Sequence, residues 1–292
     1  MIGTRFLEAG AAGISPCRVS ILPAPLAATV SWMAGTDQGP AAILAASDTL
    51  ELLDDELLIE TWRLGIETLP ALELADLAVA AAWERIRTAV AGELARGRFV
   101  VTIGGEHGVT VPAVTAYRAR YPDLTVVQID AHLDLRDAYE GEPCSHASVM
   151  RRLHDLGLPF VQVGIRSFSR EEWLFCRETG ITFFSPARLR QPGGLAAILA
   201  RVRGPVYLTI DVDGLDPAVM PATGTPEPDG LSWVEATGFI RALAGAHPIV
   251  GLDLVELAPL PGLHHAAFTA AKLLYRSLGY ILGAELPALD RG

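Results

Sequence analysis

The chain has little cysteine, no long unbroken apolar run and no excess of basic charge, and each shortage removes a class of protein. Cys17, Cys144 and Cys176 are odd in number and far apart, which argues against a disulfide framework and a thiolate zinc site and leaves three ordinary buried or half-buried thiols. Half of the 292 residues are hydrophobic, yet Gly, Pro or charge interrupts every apolar run before it could span a bilayer. The opening Met1-Ile2-Gly3-Thr4-Arg5 leads into an acidic, Gly-containing stretch rather than the apolar core of a secretory signal, so a cytoplasmic location is expected. The formal net charge of −11 argues against nucleic acid, whose phosphates need a basic face, and suits a cationic ligand or simply a solvated surface. Gly/Ser-rich linkers and fixed-period repeats are missing too, and residues 1–292 therefore read as one domain.

What is present is an alternation of short apolar runs with longer segments of helical spacing, the pattern of a parallel sheet covered by helices. The strands expected are Phe99–Ile103, Leu124–Ile129, Phe160–Val163, Val206–Ile210 and Ile249–Leu254, each apolar enough to be buried on both faces. The helices expected are Leu72–Arg96, Val111–Arg120, Ala147–Leu156, Leu195–Arg203, Trp233–Ala244 and Ala267–Leu282. Residues 24–45 lack a clean period and are expected to form a loop over the site.

Acids and imidazoles gather where three of these strands end. Phe99–Ile103 runs into Gly104-Gly105-Glu106-His107, Leu124–Ile129 into Asp130-Ala131-His132-Leu133-Asp134, and Val206–Ile210 into Asp211-Val212-Asp213. In α/β sheets ligands sit beyond the carboxyl ends of strands, and residues two apart in an extended segment share a side. Asp130, His132 and Asp134 can therefore converge, as can Asp211 and Asp213. So many carboxylates in one place either keep their protons or enclose cations. Carboxylate and imidazole donors without thiolate suit an ion such as Mn2+, and two ions sharing carboxylates would lie roughly 3.5–4 Å apart. Taken singly, a Gly-Gly-Glu-His is a turn and an Asp-x-Asp a helix cap. Taken together, at successive strand ends, they point to metal.

These segments, with Ser145-His146-Ala147-Ser148, Asp211-Val212-Asp213-Gly214-Leu215-Asp216-Pro217 and Gly224-Thr225-Pro226-Glu227-Pro228, resemble the ureohydrolase family, which includes arginase and agmatinase. The resemblance runs from about residue 17 to residue 283. It implies a three-layer α/β/α sandwich around a mostly parallel eight-stranded sheet, assembled as trimers or hexamers. It also implies one Mn2+ held by His107, Asp130, Asp134 and Asp211 and a second by Asp130, His132, Asp211 and Asp213. Glu256 matches the family carboxylate that pairs with the guanidinium of a small cationic substrate, and His146 a histidine that moves protons. Asp134-Leu135-Arg136-Asp137-Ala138-Tyr139-Glu140-Gly141 resembles agmatinases, whereas arginases carry a longer Asn/Thr/Ser-rich loop there. The implied reaction is hydrolysis of agmatine to putrescine and urea, or of guanidinobutyrate, aminopropylagmatine or arginine in its place. Gly108, where Ser is common, and Trp32, where Tyr is common, depart from the pattern without removing a ligand.

In that reading the two ions activate a bridging water, Glu256 fixes the guanidinium in plane, and Asp134 passes a proton to the leaving amine. His146 relays protons to solvent. Glu106 and Asp216 are expected to orient ligands or close turns, and His154, His247, His264 and His265 carry no assigned chemistry. Two other classes stay open: a single-zinc deacetylase of related fold, separable by metal content, and a binding protein that has kept the fold without the activity.

Overall fold

Eight strands form one sheet in the computed structural model, which describes residues 5–7 and 16–289. They are β1 (Val19–Ala24), β2 (Ile66–Thr68), β3 (Phe99–Gly104), β4 (Thr125–Ile129), β5 (Phe160–Val163), β6 (Phe183–Phe184), β7 (Val206–Asp211) and β8 (Ile249–Val255). Their spatial order is β2-β1-β3-β8-β7-β4-β5-β6 and every pairing is parallel, so the antiparallel member that "mostly" allowed for is missing from these strands. Of the three strands that the apolar runs did not announce, β2 and β6 are only three and two residues long. β1 carries Pro23, which cannot donate to a ladder. It is tolerated because pairing with β2 stops at Ile21 opposite Thr68, beyond which the Pro23 carbonyl accepts the Leu72 N–H of a loop instead.

Among the described residues nine α-helices follow: α1 (Gly39–Ser47), α2 (Val79–Ala95), α3 (Thr110–Arg120), α4 (Val149–Asp155), α5 (Arg170–Thr179), α6 (Pro186–Arg190), α7 (Gly194–Leu199), α8 (Trp233–Ala246) and α9 (His264–Leu282). One apolar cluster joins the sheet to α1, α7, α8 and α9, and a second joins it to α2, α3, α4 and α5, which makes the three layers. Fully burying a Val, Leu or Ile side chain contributes about 1.5–3 kcal/mol, so the two covered faces account for the continuous apolar character of the central strands.

Several helix ends differ from the periodicity. The expected start at Leu72 moves to Val79 because the backbone of Leu69 and Leu72 donates to the Ile21 and Pro23 carbonyls of β1. Residues 146–148 close a tight 3-10 turn before α4, and the helix expected through Arg203 ends at Leu199. Residues 24–45 are irregular only in part, since α1 begins at Gly39 with Pro40 in its first turn. α5 was not expected, although Ser169 and Glu172 form a capping box at its start and Gly180 adopts the left-handed conformation at its end. No described helix is long and apolar enough to cross a membrane. The Met1-Ile2-Gly3-Thr4 stretch lies outside the described residues.

One row across the sheet is polar. Thr102, Asp253, Thr209, Gln128 and Gln162 are neighbours in register on β3, β8, β7, β4 and β5, and all are buried. They face the α2–α3–α4 side, directly beneath the ends of the four central strands.

Candidate metal centre

Those four strands, β3, β8, β7 and β4, deliver all the donors expected from the sequence to one edge. His107 follows β3 in a 3-10 turn that leads into α3; Asp130, His132 and Asp134 follow β4; Asp211 ends β7 and Asp213 follows it; Glu256 follows β8. Two groups of ligand atoms form, each within 4.8 Å: His107, Asp130 and Asp211 in one, and Asp130, His132 and Asp213 in the other. Asp130 belongs to both. Asp134 joins the first, its Oδ2 lying 3.1 Å from His107 Nδ1, with Asp130 Oδ2 at 3.1 Å and Asp211 Oδ2 at 3.3 Å from the same nitrogen. In the second group His132 Nδ1 stands 3.0 Å from Asp213 Oδ2 and 3.6 Å from Asp130 Oδ1.

The donor set fits cations. His107 Nδ1 is buried without a properly directed hydrogen-bond partner although three carboxylates surround it, the arrangement of a lone pair waiting for a positive charge. Electrostatics point the same way. Burial together with the Asp130 charge pushes the Asp134 carboxyl up to about 7, and burial with the Asp213 and Asp130 charges holds Asp211 well above the carboxylate range. Burial alone would lower His132, but the Asp213 and Asp130 carboxylates raise it to about 12. Without cations Asp134, Asp211 and His132 are driven towards their protonated forms, while the His107 and His132 imidazoles hold Asp130 below the usual carboxylate range against its burial.

Backbone and side-chain bonds fix each donor. Asp130 accepts the His132 N–H at 2.6 Å and the Gln128 amide at 2.6 Å, and Gln128 is itself held by Gln162. The Ala131 N–H donates to Asp213 Oδ1 and the Asp213 N–H to Asp211 Oδ1. Gly164 must be glycine for this, with φ 99° and space for no Cβ, which would meet the Asp130 carbonyl oxygen at 2.7 Å. Arg166 donates to the backbone carbonyls of Asp213, Pro228 and Glu227, tying the Asp213 turn to the loop that carries Glu227.

Beside the donors lies a cavity of about 360 Å³ lined by Asp134, His146, Glu227 and Glu256, with Trp32 and Phe168 at its wall. Glu256 accepts the His107 N–H at 2.7 Å, and burial, with the nearby Glu106 charge, pushes its carboxyl up to about 8. His146 is pushed down to about 4, chiefly by burial and by the His107 and His132 imidazoles, and is neutral at pH 7. Its backbone N–H donates to Thr29 Oγ1, whose hydroxyl also reaches Glu106 Oε1 at 3.1 Å and His146 Nδ1 at 3.0 Å. Glu106 thus anchors the loop over the site through Thr29, and Val30, Ser31 and Trp32 follow it along the cavity. Asp216 accepts the Ala218 and Gly230 N–H groups and closes turns. Cys176 is buried, and Cys17 and Cys144 are half-buried.

Sequence reasoning did not reach Thr29, Gln128, Gln162, Arg166, Thr209 or Asp253. For the strand residues a signal existed: an amide or carboxylate in the middle of an otherwise apolar, doubly buried strand needs a partner. Thr29 and Arg166 act through contacts distant in sequence and leave no such mark.

The comparisons agree with this geometry. An arginase family model matches residues 17–279. The chain is 41% identical over 285 residues to the N(1)-aminopropylagmatine ureohydrolase of Synechocystis sp., covering 94% of this chain and 93% of that one. It is 38% identical to an agmatinase of Bacillus anthracis, covering 83% and 84%. The solved agmatine ureohydrolase of Thermoplasma volcanium superposes with a TM-score of 0.85 at 32% identity, covering 93% of this chain and 92% of that one. The chain belongs to the arginase family.

Proposed function

We propose that the chain is a binuclear manganese ureohydrolase that cleaves the guanidino group of a linear polyamine-type cation, releasing urea and an amine. The observation that carries this is the sharing of Asp130 between two donor groups beside Glu256, one buried throughout and one with His132 half-buried. His107, Asp130, Asp134 and Asp211 would hold one ion and Asp130, His132, Asp211 and Asp213 the other. Two divalent cations bound there lower the pKa of a water towards neutrality and so supply a nucleophile at physiological pH.

The protein's own groups do the rest. Glu256, fixed by the His107 N–H, pairs with the guanidinium and orients its carbon. Asp134, a metal ligand with one oxygen left free, would pass the proton of the attacking water to the departing amine. His146, neutral and bonded to Thr29, takes up and returns protons at the cavity wall.

Agmatine came first from the sequence. The Synechocystis relative, named for the aminopropyl derivative, favours the longer substrate, and so does Glu227, a half-exposed carboxylate on the cavity wall whose nearest cationic partner is His132 Nε2 at 4.0 Å. Such a carboxylate suits an extra ammonium. We therefore place N1-aminopropylagmatine first and agmatine second, the amine products being spermidine and putrescine. Urea release by the Mn2+-loaded protein, measured with both compounds, guanidinobutyrate and arginine, tests this. The expected order of kcat/KM is aminopropylagmatine, then agmatine, with arginine inert; hydrolysis of arginine alone would overturn it. The same reading takes residues 1–292 as one cytoplasmic ureohydrolase domain that assembles as a trimer or hexamer.

A further inference from the structure

Beneath the donors lies a buried carboxylate that the reaction does not touch. Asp253, in the middle of β8, accepts the Thr110 hydroxyl at 2.9 Å and the Tyr207 hydroxyl at 2.8 Å on the same oxygen. Thr110 Oγ1 is 3.3 Å from Thr209 Oγ1, which is 2.8 Å from His107 Nε2. Thr209 is also the register neighbour of Asp253 on β7. Each hydroxyl has one proton, and with Asp253 ionised this fixes the direction of the chain. A carboxylate only accepts, so Thr110 donates to Asp253 and must accept from Thr209; Thr209, having donated onwards, must accept from His107. Donation by Thr209 straight to Asp253 gives the same result. His107 therefore carries a proton on Nε2, and its Nδ1 faces Asp130, Asp134 and Asp211.

We propose that Asp253 is a positioning residue for the metal centre, acting on His107 through the hydroxyl of Thr209. Its charge polarises the hydroxyls in one sense, holds the His107 ring in a single tautomer and raises the basicity of Nδ1 as a ligand. Asp130 is braced from the other side of the same polar row by Gln128 and Gln162, which are neutral. The charged arm serves His107, and so serves the ion in the group of His107, Asp130 and Asp211.

The proposal rests on His107 being a metal ligand, and Mn2+ alone is the probe. Binding to the full chain is followed by titration calorimetry and by the electron paramagnetic resonance of free Mn2+. Wild type is expected to take two ions. Asp253→Asn, which keeps the shape and removes the charge, weakens one ion about tenfold or more, in line with the loss typical of outer-shell partners, and leaves the other within twofold. Thr209→Val, of equal size, weakens the same ion, Thr209→Ser restores it, and the double variant Asp253→Asn/Thr209→Val is no weaker than Thr209→Val alone. Unchanged affinities in Asp253→Asn, or fully additive losses in the double variant, overturn the relay while leaving the proposed function intact. Should Asp253→Asn not fold, Asp253→Glu takes its place: it must weaken the same ion without adding to Thr209→Val, and additivity overturns the relay. A wild-type chain that takes up no second ion removes both readings.

Discussion

Asp134 and Glu256 both lie on left-handed backbone, with φ 53° and 65°. Neither is glycine, and such positions cost about 1–3 kcal/mol, so the surroundings must impose them. The Asp134 carbonyl accepts the Arg151 N–H, the next residue donates its N–H to Glu172, and the Glu256 N–H donates to the Gly105 carbonyl. Both strained residues are carboxylates lining the cavity. Glu256→Gln keeps the acceptor for the His107 N–H but loses the charge that a guanidinium requires. Since a charged hydrogen bond contributes about 1.5–3 kcal/mol, kcat/KM for urea release is expected to fall roughly 10- to 100-fold with Mn2+ binding unaltered. Equal kcat/KM in variant and wild type would take Glu256 out of substrate recognition. The donors were legible because Asp130, His132 and Asp134 repeat every second residue, a local signature. Thr29 was not, since its partners Glu106 and His146 lie 77 and 117 residues away.

Among the elements, the strands that could be read are those apolar throughout, and the missed ones fail for stated reasons: Pro23 in β1, and too few residues in β2 and β6. Joints between elements were less visible still. Gly105, between β3 and His107, passes so close to the chain after β1 that a Cβ there would lie 2.0 Å from the Leu26 carbonyl oxygen. Gly92, exposed in α2, has nothing within 4 Å of its would-be Cβ. The two substitutions should differ in sign. Gly105→Ala is expected to destabilise by about 1–3 kcal/mol through overpacking, whereas Gly92→Ala is expected to stabilise by about 0.5–1 kcal/mol through reduced backbone entropy of the unfolded chain. Urea unfolding midpoints measure both, and a tolerated Gly105→Ala would show that the β1 and β3 ends can part.

For the whole molecule, the acidity that looked like surface solvation is also concentrated inside. In the metal-free protein burial raises Asp134 to about 7 and Glu256 to about 8, above their unfolded values of 3.8 and 4.5. A raised folded pKa gives stability that is complete below the unfolded value and lost as pH climbs through the folded one. His146, lowered to about 4, acts in the opposite sense, but its contribution is complete above 6.5. Metal-free protein is therefore expected to lose thermal stability from pH 7 to pH 9. If Mn2+ replaces the protons as proposed, each ion at a hundredfold excess over its Kd adds about 2.7 kcal/mol, and the increment in Tm is expected to grow with pH. Calorimetric scans with and without Mn2+ test the sign; a metal-free Tm that climbs towards pH 9 would contradict it.

Of the described strands β8 comes last in the sequence, yet it lies between β3 and β7. All six side chains proposed to hold ions precede it in the sequence, with His107 after β3 on one side of it and the aspartates after β7 and β4 on the other. Any parting of β8 from its neighbours would therefore separate His107 from the aspartates, so the proposed metal centre depends on a strand that supplies none of its ligands.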